Sequence, residues 1–317
     1  MSPADQQGIV DYLRHLTSQR KLSPHTLEAY RRDLAQLATL CSGRPWAAVD
    51  HLEIRRHAAG LHAHGLAARS IARKLSAWRG FFDWLARQSG LAVNPVDAVR
   101  APKRAAALPK ALSVDDAVHL VASVAHAHGP LPAADLCNRA MFELLYSSGL
   151  RVSELASLDV EYKKAEGNLS ASLGWLDIGS REVLVTGKGS KMRKVPVGAA
   201  AIAAIAAWLA VRPTPLDGSA ALFLSQRGSR ISPRVLQLRL KAHAQAVGTP
   251  TSVHPHVLRH SFASHILQSS GDLRAVQEML GHASIRSTQV YTALDFQHLA
   301  QVYDQAHPRA KIKPQPK

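Results

Sequence analysis

Side chains suited to phosphoryl chemistry occur close together near the C-terminal end of the sequence. They are His256, Arg259, His260, His282 and Tyr291. A tyrosine hydroxyl has a pKa of about 10, so it is a poor nucleophile until a base or dense positive charge activates it. A guanidinium supplies such charge and donates two hydrogen bonds to the non-bridging oxygens of a phosphate. The pattern therefore favours attack by the tyrosine on a phosphodiester.

Two other interpretations of these residues remain open. A single tyrosine on a helix usually packs through its ring, and a single exposed histidine usually has no role. His254, His256 and His260 also have a spacing compatible with a zinc site. Arg259 lies between those histidines and would repel a cation, and no carboxylate or cysteine lies near them. The sequence therefore predicts neither a metal ion nor any other cofactor.

Local signals predict two helices that position these residues. Pro255 suits the first turn of a helix, and apolar residues follow it at helical spacing. Gly271 and Asp272 indicate the end of that helix and the N-cap of the next one. Arg259 comes three residues after His256, so both side chains are expected on one face of the first helix.

A second informative stretch covers residues 139–158. Its apolar residues predict a helix that ends at Gly149, and Ser153 indicates the start of a new helix. Arg151 lies at this junction, where the amides of a helix N-terminus also favour an anion. Glu154 is close enough to orient the arginine, although a purely structural ion pair is the alternative.

Two predicted strands frame a basic turn. The strands are 182–186 and 193–197, and the turn has the sequence GKGSK at 187–191. Glycines on both sides of Lys188 fit a tight hairpin turn. The lysine at its tip is either solvated or reaches a DNA groove or a leaving oxygen. The preceding segment, 162–175, has weak periodicity and is predicted to be an inserted loop.

Helical periodicity extends through both halves of the chain. Residues 94–112 interrupt it with three prolines, which predicts a linker. The predicted elements are a helical hairpin at 8–40, helices at 52–65, 67–88, 199–211 and 233–246, a helix starting at Ser113, and a short strand at 222–224.

The predicted helix at 67–88 carries a row of cations. Arg69, Arg73, Lys74 and Arg79 occupy one side, opposite an apolar side. A solvated polar face is the ordinary interpretation of such a row. Taken together, the four cations predict a surface that follows a phosphate backbone.

The charge balance indicates a polyanionic partner. The 317 residues have a net charge of +16, and residues 1–107 hold 16 Lys and Arg against 8 Asp and Glu, so the two parts of the chain carry +8 each. Two comparably basic domains are typical of a protein that grips nucleic acid from opposite sides.

Several classes of protein are disfavoured. No apolar run is long enough to span a membrane, and the start MSPADQQG has no signal-peptide pattern, so a cytoplasmic location without membrane insertion is expected. Cys41 and Cys137 have no metal or redox spacing and are predicted to be buried thiols in a reducing compartment. No nucleotide-binding glycine motif occurs, which argues against nucleotide hydrolysis.

Together these features resemble the tyrosine recombinase family. SPHTLEAYRRDL also resembles the start of that family's helical core-binding domain, so the resemblance covers nearly the whole chain. The long segment before the Lys188 turn departs from the family pattern. The matching positions lie in the contexts GLRVSEL, GKG, HVLRH, LGH and QVYTAL, and they are Arg151, Lys188, His256, Arg259, His282 and Tyr291.

The resemblance implies how a phosphate would be attacked. Tyr291 would attack the scissile phosphate, giving a 3′-phosphotyrosyl bond and a free 5′-hydroxyl. Arg151 and Arg259 would hold the non-bridging oxygens, and His282 would donate a further hydrogen bond.

The resemblance also implies where protons would move. His256 would assist removal of the proton from Tyr291, Lys188 would protonate the 5′ leaving oxygen, and Glu154 would support Arg151. The protein ester would conserve the phosphodiester energy, so neither a metal nor ATP would be required.

The fold implied by the family is mainly α-helical with a small β-sheet. An N-terminal helical core-binding (SAM-like) domain at 1–104 would be joined by a linker at 105–112 to an α+β catalytic domain at 113–317. The two domains would form a C-shaped clamp on DNA.

The sequence after Ser261 further resembles the branch of the family that resolves bacterial chromosome dimers. The implied partners are a double-stranded DNA site with two arms, a related second recombinase in a heterotetramer, and a septal DNA translocase. The apolar stripe formed by Phe296, Leu299, Ala300 and Tyr303 would dock on a neighbouring protomer, and packing onto its own domain is the alternative.

Two other functions stay open on the sequence. A type IB topoisomerase would use similar chemistry without exchanging partners. A non-catalytic, sequence-specific DNA-binding regulator would share the basic domains but would not need Tyr291 together with the cations.

Overall fold

The chain forms two compact units, an N-terminal unit at 1–107 and a C-terminal unit at 108–317. The boundary between them falls inside the stretch predicted to be a linker. The structure is a computed structural model, and the residues that it describes are 3–19, 22, 24–41, 44–89, 93–102, 111–123, 131–165, 170–187, 191–249, 253–281 and 301–310.

The N-terminal unit packs helices around an aromatic core. Trp46, Trp78, Phe81 and Phe82 are buried, and the rings of Trp46 and Phe81 meet edge to face with their centres 5.1 Å apart. The predicted helical patterns are confirmed within the described residues. The helices are α1 (Pro3–Gln19), α2 (Pro24–Leu40), α3 (His51–Ala63) and α4 (Ala68–Ser89).

Residues 94–102 belong to the N-terminal unit, so the prediction of a linker beginning at residue 94 is wrong. Val96 and Val99 are buried in the core of this unit. Arg79 of α4 donates hydrogen bonds of 3.1 Å to the carbonyl oxygens of both valines. The prolines indicated a linker, and the two buried valines gave no helical or strand periodicity that would have indicated a packed segment.

The basic side of α4 is also used differently from the prediction. Asp33 of α2 is almost fully buried, and it accepts a 2.8 Å hydrogen bond from Lys74 and a second from Arg73. With Arg79 bound to the backbone of its own unit, three of the four cations hold the unit together. Arg69 and Arg73 are exposed, whereas Lys74 is buried and Arg79 is half-buried.

The C-terminal unit combines helices with one four-stranded sheet, as the predicted fold class requires. The strand order is β1-β2-β3-β4; the first pair is parallel, and the other two pairs are antiparallel. The elements are α5 (Val114–Ala122), α6 (Ala133–Ser148), α7 (Val152–Ala156), β1 (Leu158–Asp159), β2 (Gly174–Asp177), β3 (Glu182–Thr186), β4 (Met192–Pro196), α8 (Ala199–Leu209), α9 (Pro233–Ala246), α10 (Pro255–Ser270) and α11 (Leu273–Leu280).

One sequence prediction about this sheet is confirmed except at its end, and another is wrong. The described residues of the loop predicted at 162–175 hold no helix or strand until β2 begins at Gly174, and β2 pairs with both β1 and β3. A Cβ at Gly174 would lie 2.7 Å from the carbonyl oxygen of Leu184, so the residue here must be glycine. Residues 222–224 form no strand and contribute only an isolated bridge between Leu224 and Arg230.

Residues 301–310 complete the core of the C-terminal unit. Tyr303 is buried, and its hydroxyl lies 2.6 Å from that of Ser147 on α6. The ring of His307 stacks on the ring of Tyr303, and Arg309 pairs with the buried carboxylate of Glu143. The predicted docking on a neighbouring protomer is therefore wrong for Tyr303, because its side chain packs into its own domain. Phe296, Leu299 and Ala300, predicted to share that stripe, lie outside the described residues.

No helix among the described ranges has both the length and the apolar character needed to cross a membrane.

Candidate active site

Two glycine-terminated helices bring the candidate residues together. α6 ends at Gly149, which has a φ of 56°, and a Cβ there would lie 2.4 Å from the ring of Phe262. The chain then turns so that Arg151 becomes the N-cap residue of α7. α11 ends at Gly281, which has a φ of 64°. Both helix ends lie against the side chain of Arg259.

Glu154 is the centre of the cluster. Its carboxylate accepts hydrogen bonds from the backbone N–H of Arg151 at 2.8 Å and from the Arg151 guanidinium at 2.7 Å. Arg193 of β4 binds both carboxylate oxygens of Glu154, each at 2.9 Å. Burial alone would raise the pKa of Glu154, but the hydrogen bonds and charge of Arg193, together with those of Arg151, hold the pKa below its ordinary value. The carboxylate is therefore ionised near neutral pH.

Arg259 is held by two helix ends rather than by the carboxylate. Its guanidinium donates hydrogen bonds of 2.5 Å to the carbonyl oxygen of Gly149 and 2.7 Å to that of Leu280. These carbonyls lie at the C-termini of α6 and α11, where the helix dipole favours a cation. Burial lowers the pKa of Arg259 to about 10, and the charge of Arg151 adds to that shift. The guanidinium remains charged near pH 7.

The C-terminus of α11 binds all three arginines of the cluster. The carbonyl oxygen of Met279 accepts from Arg193 at 3.0 Å, that of Leu280 from Arg259, and that of Gly281 from Arg151 at 3.5 Å. Three successive carbonyls therefore fix three guanidiniums. His282 is the next residue in the chain.

The charges of this cluster do not balance. Three guanidiniums surround one carboxylate, so the four side chains together carry two positive charges in excess. Arg193 and Arg259 are buried, whereas the side chain of Arg151 keeps 33% of its surface exposed. Two like charges about 4 Å apart repel by about 4 kcal/mol at an effective dielectric constant of 20, and an anion would relieve that repulsion. The arrangement is chemically suited to binding a phosphate beside Arg151.

His256 lies at the rim of the cluster. It is exposed on α10, one turn before the buried Arg259, and its ring centre is 6.0 Å from that of His254. His256 and Arg259 therefore lie one turn apart on α10, with His256 exposed and Arg259 buried. No ligand set of the kind that holds a metal includes His254, His256 or His260 within the described residues.

Three of the six predicted catalytic residues, Lys188, His282 and Tyr291, lie outside the described residues. The structure brings Arg151 and Arg259 together across Gly149 and α11, with His256 on the adjoining turn of α10. The roles of all six residues stay predictions.

Sequence reasoning missed Arg193. The stretch 193–197 was interpreted only as a strand, yet the side chain of Arg193 donates three hydrogen bonds within the cluster, against two from the side chain of Arg151 and two from that of Arg259. A Cβ at Gly281 would lie 3.0 Å from its side chain, so the arginine also packs against the end of α11. No local signal in the sequence linked Arg193 to Glu154, because the two residues are 39 positions apart.

Models of two known families match the chain. The phage integrase family matches residues 110–298, and the N-terminal SAM-like domain of phage integrases matches residues 9–89. Together they cover both structural units.

Curated relatives extend over almost the whole chain. Tyrosine recombinase XerC of Ralstonia pickettii is 57% identical over 96% of this chain and 94% of its own length. Tyrosine recombinase XerC of Pseudomonas aeruginosa is 46% identical over 95% of both chains.

Solved structures support the same fold. A lambda integrase dimer bound to a COC′ core site matches 91% of this chain and 98% of its own, with a TM-score of 0.66 and 17% identity. The XerH site-specific recombinase bound to a palindromic difH substrate matches 95% of this chain and 89% of its own, with a TM-score of 0.64 and 20% identity. At such identities the comparison concerns the fold alone. The family models and the curated relatives go further: this chain belongs to the phage integrase family and is a site-specific DNA recombinase of the tyrosine type.

Proposed function

We propose that this enzyme cuts and rejoins DNA at a two-arm, dif-like site together with a XerD-like recombinase. The pair would form a heterotetramer, respond to an FtsK-like septal DNA translocase, and resolve chromosome and plasmid dimers at cell division in the cytoplasm. The relatives named XerC, which match both units at up to 57% identity among those compared, support this assignment.

The observation that carries the chemistry is the set of three arginines fixed by the end of α11. Arg151, partly exposed and tied to Glu154, would bind the non-bridging oxygens of the scissile phosphate with Arg259. Preformed donors of this kind stabilise charge that grows in the transition state, because they do not reorganise during the reaction. Their excess positive charge is what a dianionic phosphorane-like state would neutralise.

The remaining roles complete one transesterification. Tyr291 would attack the phosphorus through its phenolic oxygen, and the bond to the 5′ oxygen would break. His256 would accept the phenol proton, and Lys188 would donate a proton to the departing 5′ oxygen. His282, which follows Gly281 in the chain, would donate a hydrogen bond to a non-bridging oxygen.

The test uses a labelled duplex that carries the candidate site and a nick beside the cleavage position, so that the cut strand is lost and the covalent adduct accumulates. Wild type in EDTA should form a protein–DNA adduct, and Tyr291→Phe should form none while binding the same DNA. An adduct with Tyr291→Phe would remove that residue from its role. DNA binding without any adduct in wild type would instead favour a non-catalytic regulator.

A second assay separates recombination from topoisomerase activity. The enzyme is combined with its XerD-like partner and two labelled sites, and strand exchange is scored beside relaxation of a supercoiled plasmid. Exchange supports the proposal. Relaxation of plasmids that lack the site, without exchange, would support a type IB topoisomerase.

A further inference from the structure

Three potential metal ligands meet in the N-terminal unit, away from the candidate active site. Cys41 directly follows α2, and Glu53 and His57 lie one turn apart on α3. Sγ of Cys41 is 4.0 Å from Nε2 of His57, and the same nitrogen is 3.7 Å from Oε1 of Glu53. One ligand atom from each residue lies within 4.8 Å of the other two. The proposed DNA chemistry uses none of them.

The geometry fits a cation better than it fits a proton. A single ring nitrogen faces both the thiol and the carboxylate, and the 3.7 Å separation from Glu53 is too long for a hydrogen bond. Zinc binds sulfur, nitrogen and oxygen ligands at about 2.0–2.3 Å, which places neighbouring ligand atoms about 3.4–3.6 Å apart around a tetrahedral ion. Both separations from Nε2 of His57 are within a few tenths of an ångström of those values.

Burial and orientation also suit a structural ion. Cys41 is 1% exposed, whereas the side chains of Glu53 and His57 keep 12% and 16% of their surface exposed, which leaves a narrow route for an ion and a fourth ligand. Arg44 donates a 2.6 Å hydrogen bond to Oε2 of Glu53, so that Oε1 remains directed toward His57. Hydrogen bonds to the non-ligating atom of a carboxylate commonly orient metal ligands.

We propose that Cys41, Glu53 and His57 bind one zinc ion, which ties the end of α2 to α3. The thiol of Cys41 loses its proton to solvent as the sulfur–zinc bond forms, and no redox change accompanies binding.

The sharpest test uses Co²⁺ as a probe, because a cobalt–thiolate bond gives a charge-transfer absorbance that histidine and carboxylate ligands do not give. The reduced, full-length protein is freed of metal with EDTA, dialysed, and titrated with Co²⁺, and Zn²⁺ is then added in competition. We expect one equivalent of the thiolate band per chain, abolished by Zn²⁺. Absence of the band in wild type would overturn the proposal.

Variants identify the ligands. Cys41→Ser should lose the band, and Cys137→Ser, which removes the other buried cysteine, should retain it. His57→Gln should weaken Co²⁺ binding at least 10-fold. Replacing a residue that only hydrogen-bonds to a metal ligand already lowers metal affinity by about 10- to 100-fold, and losing a ligand should cost no less. A band that persists in Cys41→Ser, or unchanged affinity in His57→Gln, would contradict the assignment.

Three controls keep the result interpretable. Circular dichroism in EDTA checks that Cys41→Ser folds, and the more exposed His57 provides a variant that does not open the core. Tyr291→Phe should bind Co²⁺ like wild type, so failure of the metal site and failure of the proposed strand cleavage are distinguishable.

Discussion

Each unit of this molecule buries one carboxylate between two cations, and the two clusters do different things. Asp33 is bound by Arg73 and Lys74 and ties α2 to α4, with the indole N–H of Trp78 donating to its backbone oxygen at 2.9 Å. Glu154 is bound by Arg151 and Arg193. The chemistry of the two pairs is similar. The difference is what lies beside them.

A third guanidinium and a helix terminus distinguish the C-terminal cluster. Arg259 adds a charge that Glu154 does not bind directly, and the end of α11 fixes the positions of all three arginines. Around Asp33 the cations reach the carboxylate without such a scaffold. The Asp33 cluster has one positive charge in excess, and the Glu154 cluster has two, with all of its guanidiniums bound to the end of one helix.

The largest expected effect is on stability and concerns Asp33. Asp33→Asn leaves Lys74 in a buried position without its ionised partner, and breaking such a pair costs about 3–5 kcal/mol. The free energy of unfolding, measured by denaturant titration of the full chain, should fall by that amount. Adduct formation per folded molecule should not change.

A double substitution provides the control for Asp33. Replacing Asp33 by Leu and Lys74 by Met removes both charges, so the loss should be much smaller than in Asp33→Asn. If Asp33→Asn slowed cleavage in fully folded protein, the separation between a structural and a functional cluster would fail.

The next largest effect is expected on the rate of adduct formation when Arg193 is replaced. Arg193→Gln removes both hydrogen bonds to Glu154 and the one to Met279, which loosens Arg151 and the end of α11. Displacement of catalytic groups by about 1 Å lowers rates about 10²-fold, and we expect that decrease in adduct formation on the nicked duplex.

Arg193→Lys tests whether charge or geometry matters. Lysine keeps the charge but cannot bind both carboxylate oxygens, so it should restore little of the rate. DNA affinity should stay within about 2-fold in both variants, because the residue positions other groups. Equal losses of affinity and rate would instead indicate a direct contact with DNA.

A smaller effect concerns stability at acidic pH, and it is expected in the C-terminal unit. Burial lowers the pKa of His307 to about 3, with the charge of Arg309 acting in the same direction and the carbonyl oxygen of Tyr146 opposing it. His265, which faces Tyr146 from α10, has a pKa that burial also lowers. Both histidines belong to the C-terminal unit.

The direction of this pH dependence follows from the pKa of histidine in the unfolded chain, which is about 6.5. The neutral, buried His307 therefore contributes its full stabilisation above pH 6.5, and this contribution declines as the pH falls toward 3. The C-terminal unit should lose about 1–2 kcal/mol from this residue between pH 6.5 and 5. His307→Gln should flatten this slope in thermal unfolding, and an unchanged slope would exclude His307 as its source.

The smallest effect is expected for Arg73. Each phosphate contact contributes about 0.9 to the slope of the logarithm of DNA affinity against the logarithm of salt concentration. Because Arg73 binds Asp33, Arg73→Gln should leave that slope unchanged. Arg69→Gln is the matched variant on the exposed part of α4. A decrease of about 0.9 in the size of that slope for Arg73→Gln would instead support the interpretation of the basic side of α4 as a phosphate-binding surface.

Local signals in the sequence were sufficient for the helices. Pro255, Gly271 and Asp272 predicted the limits of α10 and the start of α11, and the side chain of Asp272 accepts the expected hydrogen bond from the Ala275 N–H at 2.8 Å. These signals act within four or five residues. The pairing of one strand with another leaves no such local signal in the sequence, which is why β2 was not predicted.

The candidate site was predictable only in part, for the same reason. Arg151 and Glu154 are neighbours in the chain, so their pairing could be foreseen, but Arg193 reaches Glu154 across 39 positions. Lys74 likewise pairs with a residue 41 positions away. Whether a cation is structural or available to a ligand depends on such distant partners, and composition does not reveal them.

The burial of residues 301–310 also orders events during synthesis. The N-terminal unit has all of its buried residues once position 99 has been made, and it can fold while translation continues. The C-terminal unit lacks Tyr303 and Ala310, both members of its core, until more than two hundred further residues have been added. A nascent chain can therefore fold its N-terminal unit well before the core of its C-terminal unit is complete.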